Sequence, residues 1–267
     1  MDAKNLPIGV FDSGLGGLTV VKKMLESLPN EDIIYFGDTA RVPYGDRSKE
    51  TIVKYAQSDI EFLLTHRVKA VCIACNTADS MARIEMQKRF TLPIIGVVEP
   101  AALQALSTTK NGKVGVIGTK ATIRSGAYEA VIRARSPKTE VFSVPCPLLC
   151  PLVEEGRFLR GDKVVESVLE DYLSPLKAAG IDTLILGCTH YPLLLDVISD
   201  LLPGVELISS GFASTETLME TLKEKDLLNP SEKPGTIRFF VSDAPEKFAE
   251  NGSIFIGRKL TGMVEKV

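Results

Sequence analysis

Two cysteines occupy equivalent places in the sequence and could act together as acid and base. Cys75 ends the apolar stretch AVCIAC, and Cys188 ends the apolar stretch TLILGC, 113 residues later (188 minus 75). A free thiol has a pKa of about 8.5, so it can give up or accept a proton near neutral pH. Two thiols on opposite walls of a cleft could therefore remove a proton from one face of a carbon atom and return one to the other face.

Polar residues beside the two cysteines suit the same chemistry. Asp12 follows an apolar strand pattern, and His190 comes two residues after Cys188, so each could assist a thiol as a proton partner. The hydroxyls of Thr77 and Thr189 could stabilise negative charge that develops during such a proton transfer. Together these residues predict a site for proton transfer to and from a carbon atom.

The elements that must position these residues alternate between strand and helix patterns along the chain. Short apolar stretches predict strands, which lie at residues 8–11, 33–36, 71–74, 93–98, 113–119, 141–146, 183–188, 205–208 and 237–241. Helical patterns separate them, including those near residues 121–134 and 191–202, whereas the proline-rich stretch PCPLLCPLVEEG is expected to be a loop. This alternation predicts doubly wound, mainly parallel α/β sheets, whose strands end in loops that bind ligands.

The alternating strand and helix pattern is repeated in the second half of the chain. KVGVIGT resembles PIGVFDS when Gly9 is aligned with Gly115, an offset of 106 residues that is close to the cysteine offset. We therefore predict two pseudo-symmetric α/β lobes, each with a mainly parallel sheet, and an active site between them. The first lobe is expected to contain residues 1–98 and 211–267, and the second residues 99–210.

The cysteine and glycine motifs are also compatible with two other site types. Cys72 and Cys75 form a C-x-x-C that could belong to a redox or zinc site with Cys146 and Cys150. Positions three apart on a strand point to opposite faces, so Cys72 is expected to be a buried structural thiol, as are Cys146 and Cys150. The loop at residues 14–17 is rich in glycine, but Thr19 replaces the third glycine of a dinucleotide fingerprint.

Composition limits the class of protein. The 267 residues are 45% hydrophobic and 24% charged, and the net charge of −3 gives no basic surface for nucleic acid or for an anionic membrane. The sequence has no signal-peptide pattern and no apolar run of the roughly 20 residues that span a membrane. Its five cysteines are therefore expected to be reduced thiols in the cytoplasm.

Four motifs along the chain resemble those of the glutamate racemases, in the aspartate/glutamate racemase superfamily. They are DSGLGGLTV at residues 12–20, GDTARVPYG at 37–45, ACNTA at 74–78 and GCTHYPLL at 187–194. The resemblance implies a racemase that needs neither a cofactor nor a metal. Its substrate would be glutamate, with D-glutamate supplied for peptidoglycan synthesis in the bacterial cell wall, and a homodimer is an open possibility.

The resemblance also implies roles for individual residues. It assigns catalysis to Cys75 and Cys188 as the two bases, assisted by Asp12, Glu154 and His190. It assigns substrate binding to Asp12, Ser13, Tyr44, Gly45, Asn76, Thr77, Thr119, Thr122, Thr189 and His190. One departure is Ser209, which stands where the family often has an aspartate. The sequence leaves open an aspartate racemase of the same superfamily, and a nucleotide- or metal-binding α/β protein without racemase activity.

Overall fold

The computed structural model describes residues 2–267, and over this range the chain forms two parallel sheets. The strands are β1 Ile8–Asp12, β2 Ile33–Gly37, β3 Ala70–Ile73, β4 Ile94–Ile95, β5 Lys113–Gly118, β6 Glu140–Pro145, β7 Thr183–Gly187, β8 Glu206–Ser209, β9 Ile237–Val241 and β10 Val264–Lys266. The α-helices are α1 Leu18–Ser27, α2 Lys49–Thr65, α3 Asn76–Arg89, α4 Val98–Thr108, α5 Lys120–Ser125, α6 Ala127–Arg135, α7 Leu149–Glu154, α8 Lys163–Ala179, α9 Leu195–Leu201, α10 Ser210–Glu224 and α11 Pro245–Ile256.

Four neighbouring strands of the larger sheet have the same order as the four strands of the smaller sheet. The larger sheet runs β10-β9-β2-β1-β3-β4 and the smaller runs β6-β5-β7-β8, so β1 to β4 correspond to β5 to β8 in turn. Gly9 and Gly115 lie in the corresponding strands β1 and β5, while Cys75 follows β3 and Cys188 follows the corresponding β7. The predicted fold of two pseudo-symmetric parallel α/β lobes is confirmed.

The strands are apolar because helices cover both faces of each sheet. Every residue of β1, β3 and β7 is buried, as expected for central parallel strands. In β3, Cys72 packs in the same core cluster as Val10, whereas Ile73 and the following Cys75 pack in another cluster with Phe11. Cys72 therefore faces away from Cys75, as the strand periodicity predicts.

Helix α10 joins the lobes. It packs against α1, which flanks the larger sheet, and against α4, which flanks the smaller one. A Cβ atom added to Gly211 in α10 would lie 2.8 Å from Cγ2 of Val20, so this residue permits close packing of the two helices. We propose that the lobe boundaries lie where the chain crosses between the sheets, between residues 98 and 99 and between residues 210 and 211.

The sequence prediction is wrong at two places that contain proline. The strand predicted at residues 93–98 is limited to Ile94–Ile95, and α4 begins at Val98 with Pro100 in its first turn, where a proline costs no hydrogen bond. Asp79 stabilises this start by accepting hydrogen bonds from the amides of Val97 at 2.9 Å and Val98 at 2.7 Å. The predicted loop at residues 145–156 likewise contains α7, with Pro151 in its first turn.

Two predicted helices are interrupted. The helical pattern near residues 121–134 divides into α5 and α6 at Gly126, whose φ of 65° is left-handed. The pattern at residues 191–202 begins as a 3-10 turn, Tyr191–Leu194, and becomes α-helical only at Leu195. Among residues 2–267, no helix combines the length and apolarity needed to cross a bilayer.

Candidate active site

A cavity of about 340 Å³ lies between the two lobes, near the small end of the range for small-molecule sites. Both Cys75 and Cys188 line it. The other predicted residues on its wall are Ser13, Tyr44, Gly45, Asn76, Thr77, Thr119, Glu154, Thr189 and His190. Asp12 and Thr122 are buried behind the wall. The structure therefore gathers residues from distant parts of the sequence around one cavity.

Cys75 lies between β3 and α3. It occupies the N-cap position of α3, where the free backbone N–H groups favour a thiolate. Its thiol donates to Ser13 Oγ at 3.7 Å, in keeping with the parallel register that pairs Phe11 with Ile73 two residues earlier. Burial, together with the charge of Asp12, raises the pKa of Cys75 to about 12. The thiol is therefore neutral at neutral pH.

Asp12 connects the two lobes from behind the cavity wall. Its Oδ2 accepts a hydrogen bond from the amide of Gly14 at 2.9 Å, and its Oδ1 accepts one from Thr189 Oγ1 at 3.4 Å. Burial raises the pKa of Asp12, and the Gly14 amide and the charge of His190 oppose that rise. Asp12 can therefore act on Cys75 through its charge and on the second lobe through Thr189.

Cys188 has different neighbours. Its Sγ atom lies 3.4 Å from Sγ of Cys150 and 3.8 Å from Nδ1 of His190. The contact with Cys150, together with burial, raises the pKa of Cys188 well above its usual value, while His190 lowers it. The backbone beyond Cys188 enters the 3-10 turn rather than an α-helix, so the positive charge beside this cysteine comes from His190.

His190 and Glu154 form an ion pair beside Cys188. Nε2 of His190 lies 2.8 Å from Oε1 of Glu154. Burial alone would lower the pKa of His190, but Cys188 and Glu154 outweigh it and raise the value to about 10. Burial likewise opposes the charged form of Glu154, and His190 outweighs it, so the pKa of Glu154 is lowered. The imidazole is therefore a charged imidazolium at neutral pH.

Three threonine hydroxyls form a hydrogen-bonded triangle at the lobe boundary. Oγ1 of Thr77 lies 3.0 Å from Oγ1 of Thr119 and 3.2 Å from Oγ1 of Thr122, and the last two are 3.0 Å apart. Thr119 also caps α5 by accepting from the amide of Thr122 at 3.2 Å. Thr122 thus orients the other two hydroxyls rather than lining the cavity itself.

Tyr44 and Asn76 line the cavity with side chains that are already hydrogen-bonded. The Tyr44 hydroxyl donates to Asp38 and lies 3.0 Å from Asp59, which leaves its ring and backbone to contact a ligand. Asn76 donates through Nδ2 to Ser210 at 3.1 Å and accepts from the Tyr128 hydroxyl at 2.6 Å.

Gly45, a predicted site position, and Ser209, where the family often has an aspartate, add no polar side-chain group to the cavity wall. Gly45 approaches the second lobe closely, because an added Cβ would lie 3.2 Å from Cβ of Thr119. Ser209 precedes α10 and is buried, and its hydroxyl has no hydrogen-bond partner among the described residues. Ser210, rather than Ser209, contacts the site through Asn76.

The glycine-rich loop packs against the turn that carries the second cysteine. A Cβ atom added to Gly16 would lie 2.1 Å from Oγ1 of Thr189 and 2.7 Å from Nδ1 of His190. Thr19 Oγ1 donates to the backbone carbonyl of Thr189 at 2.9 Å. This loop therefore serves close contact between the lobes, which explains the glycine at position 16 without a nucleotide.

The expectation that Cys150 is a structural thiol is wrong. Cys150 lines the cavity and touches Cys188, whereas Cys146 is buried outside the cavity wall and its thiol donates to the carbonyl of Val144 at 3.5 Å. The sequence could have indicated this position, because Cys150 and Glu154 are four residues apart and share a face once residues 149–154 are helical. The four cysteines of the possible zinc site, Cys72, Cys75, Cys146 and Cys150, do not come together, since Cys72 lies on the face of its sheet opposite Cys75.

Comparison with known proteins agrees with this architecture. Residues 8–218 match the family model of the Asp/Glu/Hydantoin racemases. The chain is 47% identical to a glutamate racemase of Syntrophus aciditrophicus over 262 residues, which cover 98% of this chain and 96% of that one. The crystal structure of glutamate racemase from Francisella tularensis in complex with D-glutamate is similar with a TM-score of 0.92 and 42% identity, covering 99% of this chain and 98% of that one. An aspartate racemase of Picrophilus torridus, at 18% identity and a TM-score of 0.58 over 84% of this chain and 99% of that one, shares the fold. This chain belongs to the Asp/Glu/Hydantoin racemase family.

Proposed function

We propose that this protein interconverts L-glutamate and D-glutamate, with Cys75 and Cys188 as the two acid–base groups. The observation that carries the proposal is the presence of both thiols on the wall of one cavity, each at the end of an equivalent strand in its lobe. A planar carbanion formed between two walls can receive its proton from the wall opposite the one that removed it. Such a site inverts the α-carbon without moving the substrate.

The protonation states needed for this reaction differ between the two sulfurs. One sulfur must be a thiolate that removes the α-proton, and the other must be a thiol that supplies one. The His190 imidazolium beside Cys188 favours a thiolate there, whereas Asp12 beside Cys75 favours the neutral thiol. Burial raises the pKa of both sulfurs, but His190 opposes this rise at Cys188 whereas Asp12 adds to it at Cys75. We infer that Cys188 is the sulfur that more readily forms the thiolate, and that the two roles are reversed for the opposite reaction direction.

The polar residues of the cavity fit an amino acid. The hydroxyl of Thr77 can donate to the α-carboxylate, and that of Thr189 can do so by rotating away from Asp12, and these hydrogen bonds strengthen as negative charge spreads onto the carboxylate in the transition state. Ser13 on the wall and the buried Asp12 behind it make the adjacent region suitable for the α-ammonium. A cavity of about 340 Å³ leaves little room for bulk water beside the substrate, which strengthens these interactions.

The site chemistry alone does not distinguish glutamate from aspartate, which is one methylene shorter. The relatives with sequence identities above 40% are named glutamate racemases, and this similarity supports glutamate. We also infer that the reaction takes place in the cytoplasm, because its mechanism needs reduced thiols. D-glutamate formed there would serve peptidoglycan synthesis.

A panel of single L-amino acids, analysed by chiral chromatography after incubation with the protein, tests the substrate. We expect D-glutamate to form much faster than any other D-amino acid, without pyridoxal absorbance and without loss of rate when a chelator is added. Preferential racemisation of aspartate would contradict the proposal, and so would a rate lost to a chelator and restored by metal.

Single cysteine substitutions test the roles of the sulfurs. Cys75→Ser and Cys188→Ser should each abolish racemisation of glutamate with the fold retained, because a hydroxyl is a much weaker acid than a thiol. Cys72→Ser is the matched control, since Cys72 is buried in the strand that leads to Cys75 but faces the other side of the sheet. Full loss of activity in the folded control would contradict the assignment.

A further inference from the structure

Three side chains at one end of the cavity present ligand atoms that suit a metal ion. They are Cys150, Cys188 and His190, whose sulfur and nitrogen atoms all lie within 4.8 Å of one another. The two sulfurs are 3.4 Å apart, and Sγ of Cys188 is 3.8 Å from Nδ1 of His190. Racemisation as proposed above uses Cys188 and His190 but gives Cys150 no role.

The distances are close to those of a tetrahedral zinc site. Zinc–sulfur bonds of about 2.3 Å and zinc–nitrogen bonds of about 2.0 Å place tetrahedral ligands roughly 3.8 Å apart for two sulfurs and 3.5 Å apart for sulfur and nitrogen. The observed separations of 3.4 Å and 3.8 Å differ from these values by small side-chain adjustments. A thiol is a weak hydrogen-bond donor, so the contact between two neutral thiols stabilises the fold little.

The surroundings of His190 complete the resemblance to a metal site. Glu154 lies 2.8 Å from Nε2, which leaves Nδ1 directed toward Cys188. A carboxylate that holds the distal nitrogen of a histidine ligand is a common partner in zinc sites, because it fixes the ring and increases its basicity. Thiolate and imidazole ligands also select zinc and other borderline or soft cations over magnesium and calcium.

We propose that Cys150, Cys188 and His190 bind Zn²⁺ and that the bound ion inhibits the enzyme. Three protein ligands leave a fourth position open toward the cavity for water or a substrate group. Binding releases the two thiol protons and the imidazolium proton to solvent. The sulfur lone pairs of Cys188 then bond the metal, so this residue can no longer exchange a proton with an α-carbon.

The site is confined to the second lobe. Cys75, the equivalent cysteine of the first lobe, has Ser13 as its hydrogen-bonding neighbour and belongs to no such ligand group among residues 2–267. Cys150 adds the third ligand to the two proton-transfer groups, Cys188 and His190. Inhibition by zinc should therefore depend on Cys150, although the assignment of proton transfer does not.

Binding of Co²⁺, used as a spectroscopic substitute for zinc, tests the site independently of activity. The unmodified protein is titrated with Co²⁺ in the presence of a phosphine reductant that keeps all thiols reduced. We expect one equivalent of metal to produce a thiolate-to-cobalt charge-transfer band in the near ultraviolet, and Zn²⁺ to abolish the band by displacing Co²⁺. Absence of the band would overturn the proposal whether or not the protein racemises glutamate.

Variants identify the ligands. Cys150→Ser should lose about half of the charge-transfer intensity per bound cobalt, and Glu154→Gln should weaken binding roughly tenfold to hundredfold. Cys146→Ala is the matched control, because Cys146 is a thiol of the same segment that does not line the cavity, and its spectrum should equal that of the unmodified protein. Circular dichroism checks the fold of each variant, and Cys150→Val replaces Cys150→Ser if the latter is unfolded. An unchanged spectrum in the Cys150 variant would contradict the assignment.

Inhibition is measured separately and rests on the proposed function. Each variant is compared with its own metal-free rate of glutamate racemisation. Zn²⁺ should inhibit the unmodified protein reversibly, with recovery on chelation, and the concentration for half inhibition should rise in Cys150→Ser. If mild oxidation without metal instead removes two of the five free thiols and no cobalt band forms, the sulfur pair is a redox couple and the metal assignment is wrong.

Discussion

Replacement of His190 by asparagine tests how the second cysteine is activated. Asparagine retains hydrogen-bonding capacity but carries no charge, so His190→Asn removes the positive charge beside Cys188 while keeping a polar side chain. Nδ1 of His190 lies 3.8 Å from the sulfur, and His190 is 7% exposed, so little solvent screens the interaction. The variant should therefore raise the pKa of Cys188 and reduce the fraction of thiolate.

The size of the effect follows from this distance. Two unit charges 3.8 Å apart interact by about 4 kcal/mol at an effective dielectric constant of about 20. At about 1.4 kcal/mol per unit, this interaction corresponds to a change of about 3 units in the pKa of Cys188. Water that enters the space left by the ring will recover part of the loss. We therefore expect kcat/KM to fall roughly 100-fold to 1000-fold.

Both reaction directions must show the same fall. The enantiomers of glutamate have equal free energy in water, so kcat/KM for L-glutamate and for D-glutamate must decrease by the same factor, although kcat and KM can change differently in each direction. The assay follows each enantiomer by circular dichroism across a range of pH. We expect the acidic limb of kcat/KM to move to higher pH, because the pKa of Cys188 rises.

The second histidine of the chain provides the control for this variant. His66 ends α2 and stacks against Phe240, outside the cavity wall. His66→Asn should leave kcat/KM and its pH dependence unchanged. A value of kcat/KM in His190→Asn within about twofold of the unmodified protein, with the same pH profile, would refute the role given to His190.

Two further predictions follow from the lobe boundary and from the histidine. Gly16→Ala should lower kcat/KM at least about tenfold, because overpacking costs about 1–3 kcal/mol and here displaces Thr189 and His190. Gly14→Ala, whose added Cβ would meet only Val42 at 3.3 Å, should have a smaller effect. Equal effects of the two substitutions on steady-state kinetics would contradict this prediction. The His190 pKa of about 10 in the folded state exceeds the unfolded value of 6.5, so the stability contributed by its charged form is complete below about pH 6.5 and is lost as pH rises through 10. Urea unfolding of the unmodified protein and of His190→Asn measures this contribution. The difference between their free energies of unfolding should shrink by at most about 1.4 kcal/mol per pH unit as pH rises over this interval. A difference that grows with pH would contradict the prediction.

Local patterns sufficed to predict the architecture and the position of Cys75 and Cys188 at the ends of equivalent strands. Short apolar stretches that end in Cys75 and Cys188 lie between helical patterns, and a buried parallel strand needs that apolar composition on both faces. The repeated spacing of Gly9 and Gly115 correctly indicated two equivalent lobes, because the corresponding strands have the same order in both sheets.

The errors came from features that depend on tertiary packing. Pro151 suggested a loop, but a proline in the first turn is compatible with a helix, and the packing of α7 against the turn after β7 brings Cys150 to Cys188. Tyr44 lines the cavity, but its hydroxyl donates to the buried carboxyl of Asp38. Sequence spacing cannot reveal which distant polar group will be nearest.

Racemisation in heavy water tests the two-thiol mechanism most directly. L-glutamate is incubated with the protein in heavy water, the reaction is stopped at low conversion, and deuterium at the α-carbon of each enantiomer is measured by mass spectrometry. Thiol hydrogens exchange with solvent between turnovers, so the proton delivered from the opposite wall should be a deuteron. We predict that D-glutamate carries deuterium from its first appearance while the remaining L-glutamate stays largely protiated. Product that largely retains its original hydrogen would contradict the mechanism, because a single base would then have carried that hydrogen between the two faces.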